Sequence, residues 1–226
     1  MSWITDFFTS SIGRKIIMSL TGFFLILFLL VHLVGNLQLL AGDGGEAFNV
    51  YAYFMTHNPV IMTISYGLYF FILLHTLVGI AIWWKNKKAK GQKNAVVTSV
   101  GSSWASKNMA LLGSLIFVFI LIHMGDFWLK MKLDQVQYAT YDGISYKDLY
   151  AQCIVTFSEP IFVIGYVIGM VVLAFHLWHG FQSAFQTLGI SHSKYTPIIK
   201  GLGRIYAILV PLGFAIIPVY MYMFMR

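Results

Sequence analysis

Residues 16–40 read IIMSLTGFFLILFLLVHLVGNLQLL, a run without a charged side chain whose single ionisable group is His32. Roughly 20 predominantly apolar residues suffice to cross the hydrocarbon core of a bilayer, so this stretch is long enough to be a transmembrane helix. It is also too long for the core of a signal peptide, and no small-residue cleavage site follows it; it is expected to remain in the mature chain. Four further stretches have the same character: residues 60–84, 109–128, 161–185 and 205–225. The rest of the composition agrees. Of 226 residues, 58% are hydrophobic and only 10% are charged, whereas soluble domains carry about 25% charged residues. A water-soluble globule and a disordered chain are both excluded. The one cysteine, Cys153, rules out a disulfide scaffold. The expected fold is all-α: a single integral membrane domain, residues 1–226, made of a bundle of five transmembrane helices.

The segments between the spans give a direction. Arg14 and Lys15 precede span one; Lys85, Lys87, Lys88, Lys90, Lys93 and Lys107 lie between spans two and three; Lys194, Lys200 and Arg204 lie between spans four and five. The loop from span one to span two holds Asp43 and Glu46 and no Lys or Arg, while the loop from three to four mixes Lys130, Lys132 and Lys147 with acids. Basic residues stay on the cytoplasmic side, which puts the N-terminus inside and the C-terminus outside. The net charge of +7 is therefore read as membrane topology rather than nucleic-acid binding. Trp3, Phe7 and Phe8 mark a short amphipathic helix lying in the interface ahead of span one. Trp83, Trp84, Trp104 and Trp128 fall near span ends, where indole rings favour the headgroup layer.

Inside the spans the ionisable groups are mostly histidines: His32 in span one, His75 in span two, His123 in span three, His176 and His179 in span four. A lone histidine at membrane depth is as readily a helix-packing hydrogen bond as a ligand; one in each of four successive spans argues for a shared purpose. Depth sharpens this. At 1.5 Å rise per residue, His32 and His123 lie roughly 24 and 21 Å from the cytoplasmic ends of their spans, and His75 and His176 each roughly 14 Å. They sort into an outer pair from spans one and three and an inner pair from spans two and four. Neutral imidazole is an axial ligand for haem iron, and bundle cofactors are held by side chains on facing helices. Two pairs fit two bis-histidine b-type haems. No C-x-x-C-H is present, which excludes covalent c-type attachment. A zinc site wants three or four ligands at one depth, and these split into two levels. The sequence has no phosphate-binding glycine loop and no H-E-x-x-H.

The surrounding motifs are L-V-H-L-V-G-N around His32, G-G-E-A-F-N at Gly44–Asn49, L-L-H-T-L-V-G around His75, L-I-H-M around His123, and F-H-L-W-H-G-F-Q-S-A-F-Q-T-L-G at Phe175–Gly189. In order and spacing, across nearly the whole chain, they resemble the five-helix dihaem cytochrome b anchor of bacterial succinate:quinone oxidoreductases (succinate dehydrogenase and fumarate reductase). The resemblance implies that His32 and His123 hold the distal haem iron and His75 and His176 the proximal one. His179, one turn nearer the cytoplasm, is the alternative fourth-span ligand or a propionate contact. Arg14 and Ser11 become candidates for the proximal propionates, with Lys15 better read as positive-inside decoration. The implied partners are a flavoprotein subunit and an iron–sulfur subunit on the cytoplasmic side, the lipid bilayer, and menaquinone as substrate. The implied location is the bacterial cytoplasmic membrane.

In such a complex this chain does not oxidise succinate by itself, having no dinucleotide fingerprint and no cysteine cluster. It binds cofactors and shapes a quinone pocket, expected near the outer haem among Asn36, Gln38, Glu46, His57 and Trp128, where a hydrogen-bonding and proton-transferring group is required. Some fumarate reductases of this type carry a glutamate just before the fourth-span histidine. Here that stretch reads V-L-A-F-H, which favours succinate oxidation. The basic loop 85–107 serves either to dock the iron–sulfur subunit or to meet anionic lipid. Two alternatives of other kinds remain: a dihaem anchor for a different dehydrogenase such as a hydrogenase, and a non-redox membrane protein whose histidines serve helix packing.

Overall fold

The computed structural model describes residues 3–89, 104–190 and 192–225. Lys90 and Lys93 of the basic loop lie outside the described residues. Helix α1 (Trp3–Thr9) runs into α2 (Ser11–Asn36) through Ser10, whose hydroxyl accepts the Gly13 N–H at 2.9 Å and caps the new helix. Gly13 is required at this corner, since a Cβ there would run into the Phe7 carbonyl. A 3₁₀ turn, Leu37–Leu40, extends α2. Then come α3 (Glu46–His57), α4 (Pro59–Ala89), the single turn α5 (Trp104–Lys107) and α6 (Met109–His123). A π-helical segment, Met124–Leu129, and the turn α7 (Lys130–Lys132) continue α6. An antiparallel hairpin, β1 (Tyr138–Tyr141) with β2 (Ile144–Lys147), leads to α8 (Leu149–Phe157), α9 (Pro160–Thr187) and α10 (Thr196–Phe224).

Five of these helical stretches are long and apolar enough to cross a membrane: Ser11–Leu40, Pro59–Lys88, Met109–Lys132, Pro160–Thr187 and Thr196–Phe224. The chain is an all-α, multi-pass membrane protein. Its spans outrun the sequence expectation chiefly at the lysine-rich end. Arg14, Lys15, Lys200 and Arg204 lie inside helices, because long basic side chains carry their charge to the interface along apolar stems.

The spans form a ring. α2 packs on α4, α4 on α6, α6 on α9 and α9 back on α2, while α10 lies outside the ring against α9 and α2. Met170, Leu173, Leu177 and Ala207 close the seam between α9 and α10. A second apolar cluster sits toward the lysine-poor end, around Leu33, Phe48, Phe157, Tyr166, Val210 and Ile217. Small residues allow close approach there: a Cβ on Gly35 would collide with the Tyr51 ring, and one on Gly169 with Phe119.

The lysine-poor end carries a small cap that the sequence reading leaves as loops. α3, the β-hairpin and α8 meet at Asn49, which is 1% exposed. Its amide nitrogen donates to Asp148 Oδ1 at 2.9 Å and to the Tyr141 hydroxyl at 3.1 Å, and its oxygen accepts the Tyr150 N–H at 3.1 Å. Asp148 also caps α8 by accepting the Ala151 N–H. Every arm of this buried amide is occupied, as a polar group inside a fold must be. The hairpin turns at Asp142 and Gly143, both at positive φ, the two-residue geometry that suits the twist of paired strands.

Candidate functional site

Each of the four ring helices brings one histidine to the interior. The ring centroids of His32 (α2) and His123 (α6) are 5.8 Å apart, and those of His75 (α4) and His176 (α9) are 6.3 Å apart. Both pairs span diagonals, α2 to α6 and α4 to α9, so they join helices that do not otherwise neighbour one another in the ring. His75 has its ring contact with His176; among the described residues, His179 makes no ring contact with it.

The rings are held in matching ways. The Thr21 hydroxyl donates to the Ile17 carbonyl at 2.8 Å and lies 3.0 Å from His75 Nδ1. With its proton committed, that oxygen accepts from the ring, which puts the His75 proton on Nδ1 and leaves Nε2 a free lone pair. In the outer pair, the Asn36 amide nitrogen donates to the His32 carbonyl at 2.7 Å and stands 3.2 Å from His32 Nδ1. Phe28 stacks on His32 and Phe119 on His123. The second histidine of each pair is different: Nδ1 of His123 and Nδ1 of His176 are buried without a hydrogen-bond partner. Each level thus joins one oriented imidazole to one whose ring nitrogen is unsatisfied.

This arrangement suits metal ligation from two opposite sides. A metal–imidazole bond of about 2 Å on each side, with the ring centre about 1 Å beyond the nitrogen, sets trans imidazole centroids roughly 6 Å apart. Ligating histidines also keep a polar partner on their other nitrogen, as His75 does through Thr21. Among the described residues no three His, Cys, Asp or Glu side chains gather into a metal-ion cluster. Each level offers two imidazoles, so a metal held there would need the remainder of its coordination from a group other than these side chains.

The other expected residues are scattered. Ser11 accepts from Lys85 Nζ at 2.9 Å, tying the feet of spans one and two. Arg14 is half-buried on the first turn of α2. Of the five residues expected around a quinone, Asn36 touches His32, Trp128 packs edge-on against Tyr69, and His57 stacks on Tyr53. Glu46 is exposed at the start of α3, and Gln38 is half-buried in the 3₁₀ turn. Among the described residues, no hydrogen bond or ring contact gathers these five into one site.

The structure gives partners to two polar residues for which the sequence suggests no role. Thr21 is one; a hydroxyl residue in an apolar helix carries no mark of a partner 54 positions away. The other is Asp126, in the π-helical segment, which accepts a hydrogen bond from the Tyr166 hydroxyl at 2.9 Å. Tyr166 in turn packs against His123, with centroids 6.0 Å apart. A carboxylate within a span and a π segment in its helix are each signals of a functional site. With span three ending at Lys132 rather than at Trp128, Asp126 falls within the helix rather than at its edge.

Fold and site together define a multi-pass helical membrane protein with two diagonal histidine pairs in its interior. No family model, curated protein or solved structure matches the chain.

Proposed function

We propose that this chain is a dihaem cytochrome b, the membrane anchor of a succinate:quinone oxidoreductase in a bacterial cytoplasmic membrane. It relays electrons between an iron–sulfur subunit and a membrane quinone such as menaquinone. The observation that carries the reading is the pair of diagonal histidine contacts, 5.8 and 6.3 Å between ring centroids, at two levels of one bundle. His32 and His123 hold the outer haem, and His75 and His176 the inner one. When bound, haem supplies one-electron exchange between its ferrous and ferric states.

The protein's own part is binding, orientation and exclusion of water. Thr21 holds His75 through Nδ1, which leaves Nε2 as the nitrogen open to a ligand. Phe28 and Phe119 flank the outer imidazoles and shield them. The basic face around Arg14, Lys15, Lys85, Lys87 and Lys88 is the docking side for the flavoprotein and iron–sulfur pair. Asp126 and Tyr166, beside His123, are polar groups at the depth where a quinone exchanging electrons with the outer haem needs hydrogen bonds. The stretch V-L-A-F-H before the fourth-span ligand contains no carboxylate, which favours the direction of succinate oxidation.

The test is a dithionite-reduced minus oxidised spectrum of the solubilised chain, with haem counted by pyridine haemochrome. Two b haems per chain are expected. His32→Ala or His123→Ala abolishes one signal, and His75→Ala or His176→Ala the other. A colourless preparation from haem-replete cells overturns the proposal.

A further inference from the structure

At the lysine-rich end, α5 folds back against the outer flank of α9 and roofs a groove between α9 and α10. Its volume is about 410 Å³, within the roughly 300–1,000 Å³ of small-ligand sites. Ala174 and Ala207 line it together with the larger rings of Trp104, Phe175 and Trp178. The Trp104 and Phe175 rings meet edge to face at 5.5 Å. This groove is separate from the histidine pairs: Phe175 and Trp178 are 47% and 41% exposed on the outer surface of span four.

A cation adjoins it at Trp178. The Arg204 guanidinium lies over the Trp178 ring, 5.7 Å from its centroid, one helical turn before Ala207 and Ile208. Among the described residues no carboxylate pairs with Arg204; the one ion pair there is Lys147–Asp134, on the cap. Of the eight acids in the chain, only Asp6 belongs to the segments of the lysine-rich side, against eleven Lys and Arg from Arg14 to Arg204. An apolar slot within the membrane-spanning region, opening beside a cation that no described carboxylate pairs, asks for a ligand that is apolar over its length and anionic at one end.

We infer that the α9–α10 groove binds one acyl chain of an anionic phospholipid, whose phosphate pairs with Arg204. The apolar lining takes the chain, and the guanidinium provides bidentate donors for phosphate oxygens. The indole beneath keeps the guanidinium beside the groove. Basic pockets between spans on the cytoplasmic side are the expected form of such sites. The inference does not depend on haem binding.

The test uses the full chain in phosphatidylcholine vesicles doped with a minor fraction of either phosphatidylglycerol or phosphatidylcholine carrying brominated acyl chains. Bromine quenches tryptophan on contact, and Trp3, Trp83 and Trp84 are exposed as well as the two that line the groove, Trp104 and Trp178. Quenching of that pair is therefore read as the difference from a chain carrying Trp104→Phe and Trp178→Phe. Brominated phosphatidylglycerol is expected to compete for the groove about fivefold better than brominated phosphatidylcholine. That preference disappears in Arg204→Gln, survives in Arg204→Lys, and is lost when Ala174→Phe fills the slot. Equal quenching by the two lipids overturns the inference, as does a preference that Arg204→Gln leaves intact. Quenching by neither lipid, as when a second copy or another polypeptide covers the groove, overturns it too. The comparison of the two lipids on the unaltered chain stands whether or not a variant folds.

Discussion

Thr21 and His75, 54 residues apart, share a hydrogen bond of 3.0 Å that ties Nδ1 of the inner imidazole to span one. The hydroxyl's own proton goes to the Ile17 carbonyl, so the oxygen serves the ring as an acceptor. Thr21→Val keeps the shape and removes that acceptor. If the inner pair ligates haem, the variant loses about 10- to 100-fold in affinity at that site. Haemochrome counts after dilution check this: inner-site haem falls, outer-site haem is unchanged, and Thr21→Ser retains both.

The Tyr166–Asp126 bond gives a prediction about the outer level. Tyr166 is 8% exposed and touches Phe119, His123, Phe127 and Phe157. Removing only its hydroxyl, in Tyr166→Phe, leaves the packing in place and the Asp126 carboxylate without that donor. A group so stranded costs about 1–3 kcal/mol. Thermal unfolding in detergent should show the loss. Asp126→Asn, which keeps a hydrogen-bonding partner for the hydroxyl, should lose less. If the pair also serves a quinone, both variants lower quinone turnover while both haem signals persist.

What the sequence made legible follows from how each feature is encoded. A span is written locally, in some 20 consecutive residues, and all five were readable. The two histidine levels were readable because depth along a helix is a count of residues. Span ends were less so, since Arg14 and Arg204 look like loop residues until their apolar stems are considered. The cap was not legible. Its centre, Asn49, reads as a loop residue, and its partners Tyr141 and Asp148 lie more than 90 positions away. The π segment left no trace beyond Gly125 and Asp126, and Thr21 none at all. Polar contacts between distant segments are tertiary facts that periodicity does not carry.

Asn49 anchors the next prediction. Its amide makes three hydrogen bonds across α3, the hairpin and α8. Asn49→Leu strands the Tyr150 N–H and removes a donor from Asp148 and Tyr141 together. The expected loss is roughly 2–4 kcal/mol, confined to the cap. Limited proteolysis should cut within residues 134–148 in the variant and spare the intact protein. Spectra of the spans should change little, because the ring of helices is packed independently of this amide.

The hairpin end also sets a pH dependence. Asp134 accepts a hydrogen bond from the Tyr138 hydroxyl at 2.6 Å and pairs with Lys147 at 2.9 Å. The Tyr138 hydroxyl, and then Lys147, hold its carboxyl below the usual 3.8, while Asp134 pushes the Tyr138 phenol above its usual 10.0. The signs follow. A depressed carboxylate stabilises the hairpin above 3.8, and that support is lost as pH falls through the lower folded value. A raised phenol stabilises it below 10.0 and stops doing so as pH rises through its higher folded value. Both groups are exposed, so solvent and salt screen the effect and it should weaken at high ionic strength. Amide protection factors across β1 and β2, which correct for the intrinsic pH dependence of exchange, should therefore be highest between these two limits and fall beyond either. Tyr138→Phe should move the Asp134 titration back toward 3.8 and Lys147→Gln should move it partway. A titration midpoint for Asp134 unchanged by Tyr138→Phe would show that the hydroxyl does not hold this carboxylate.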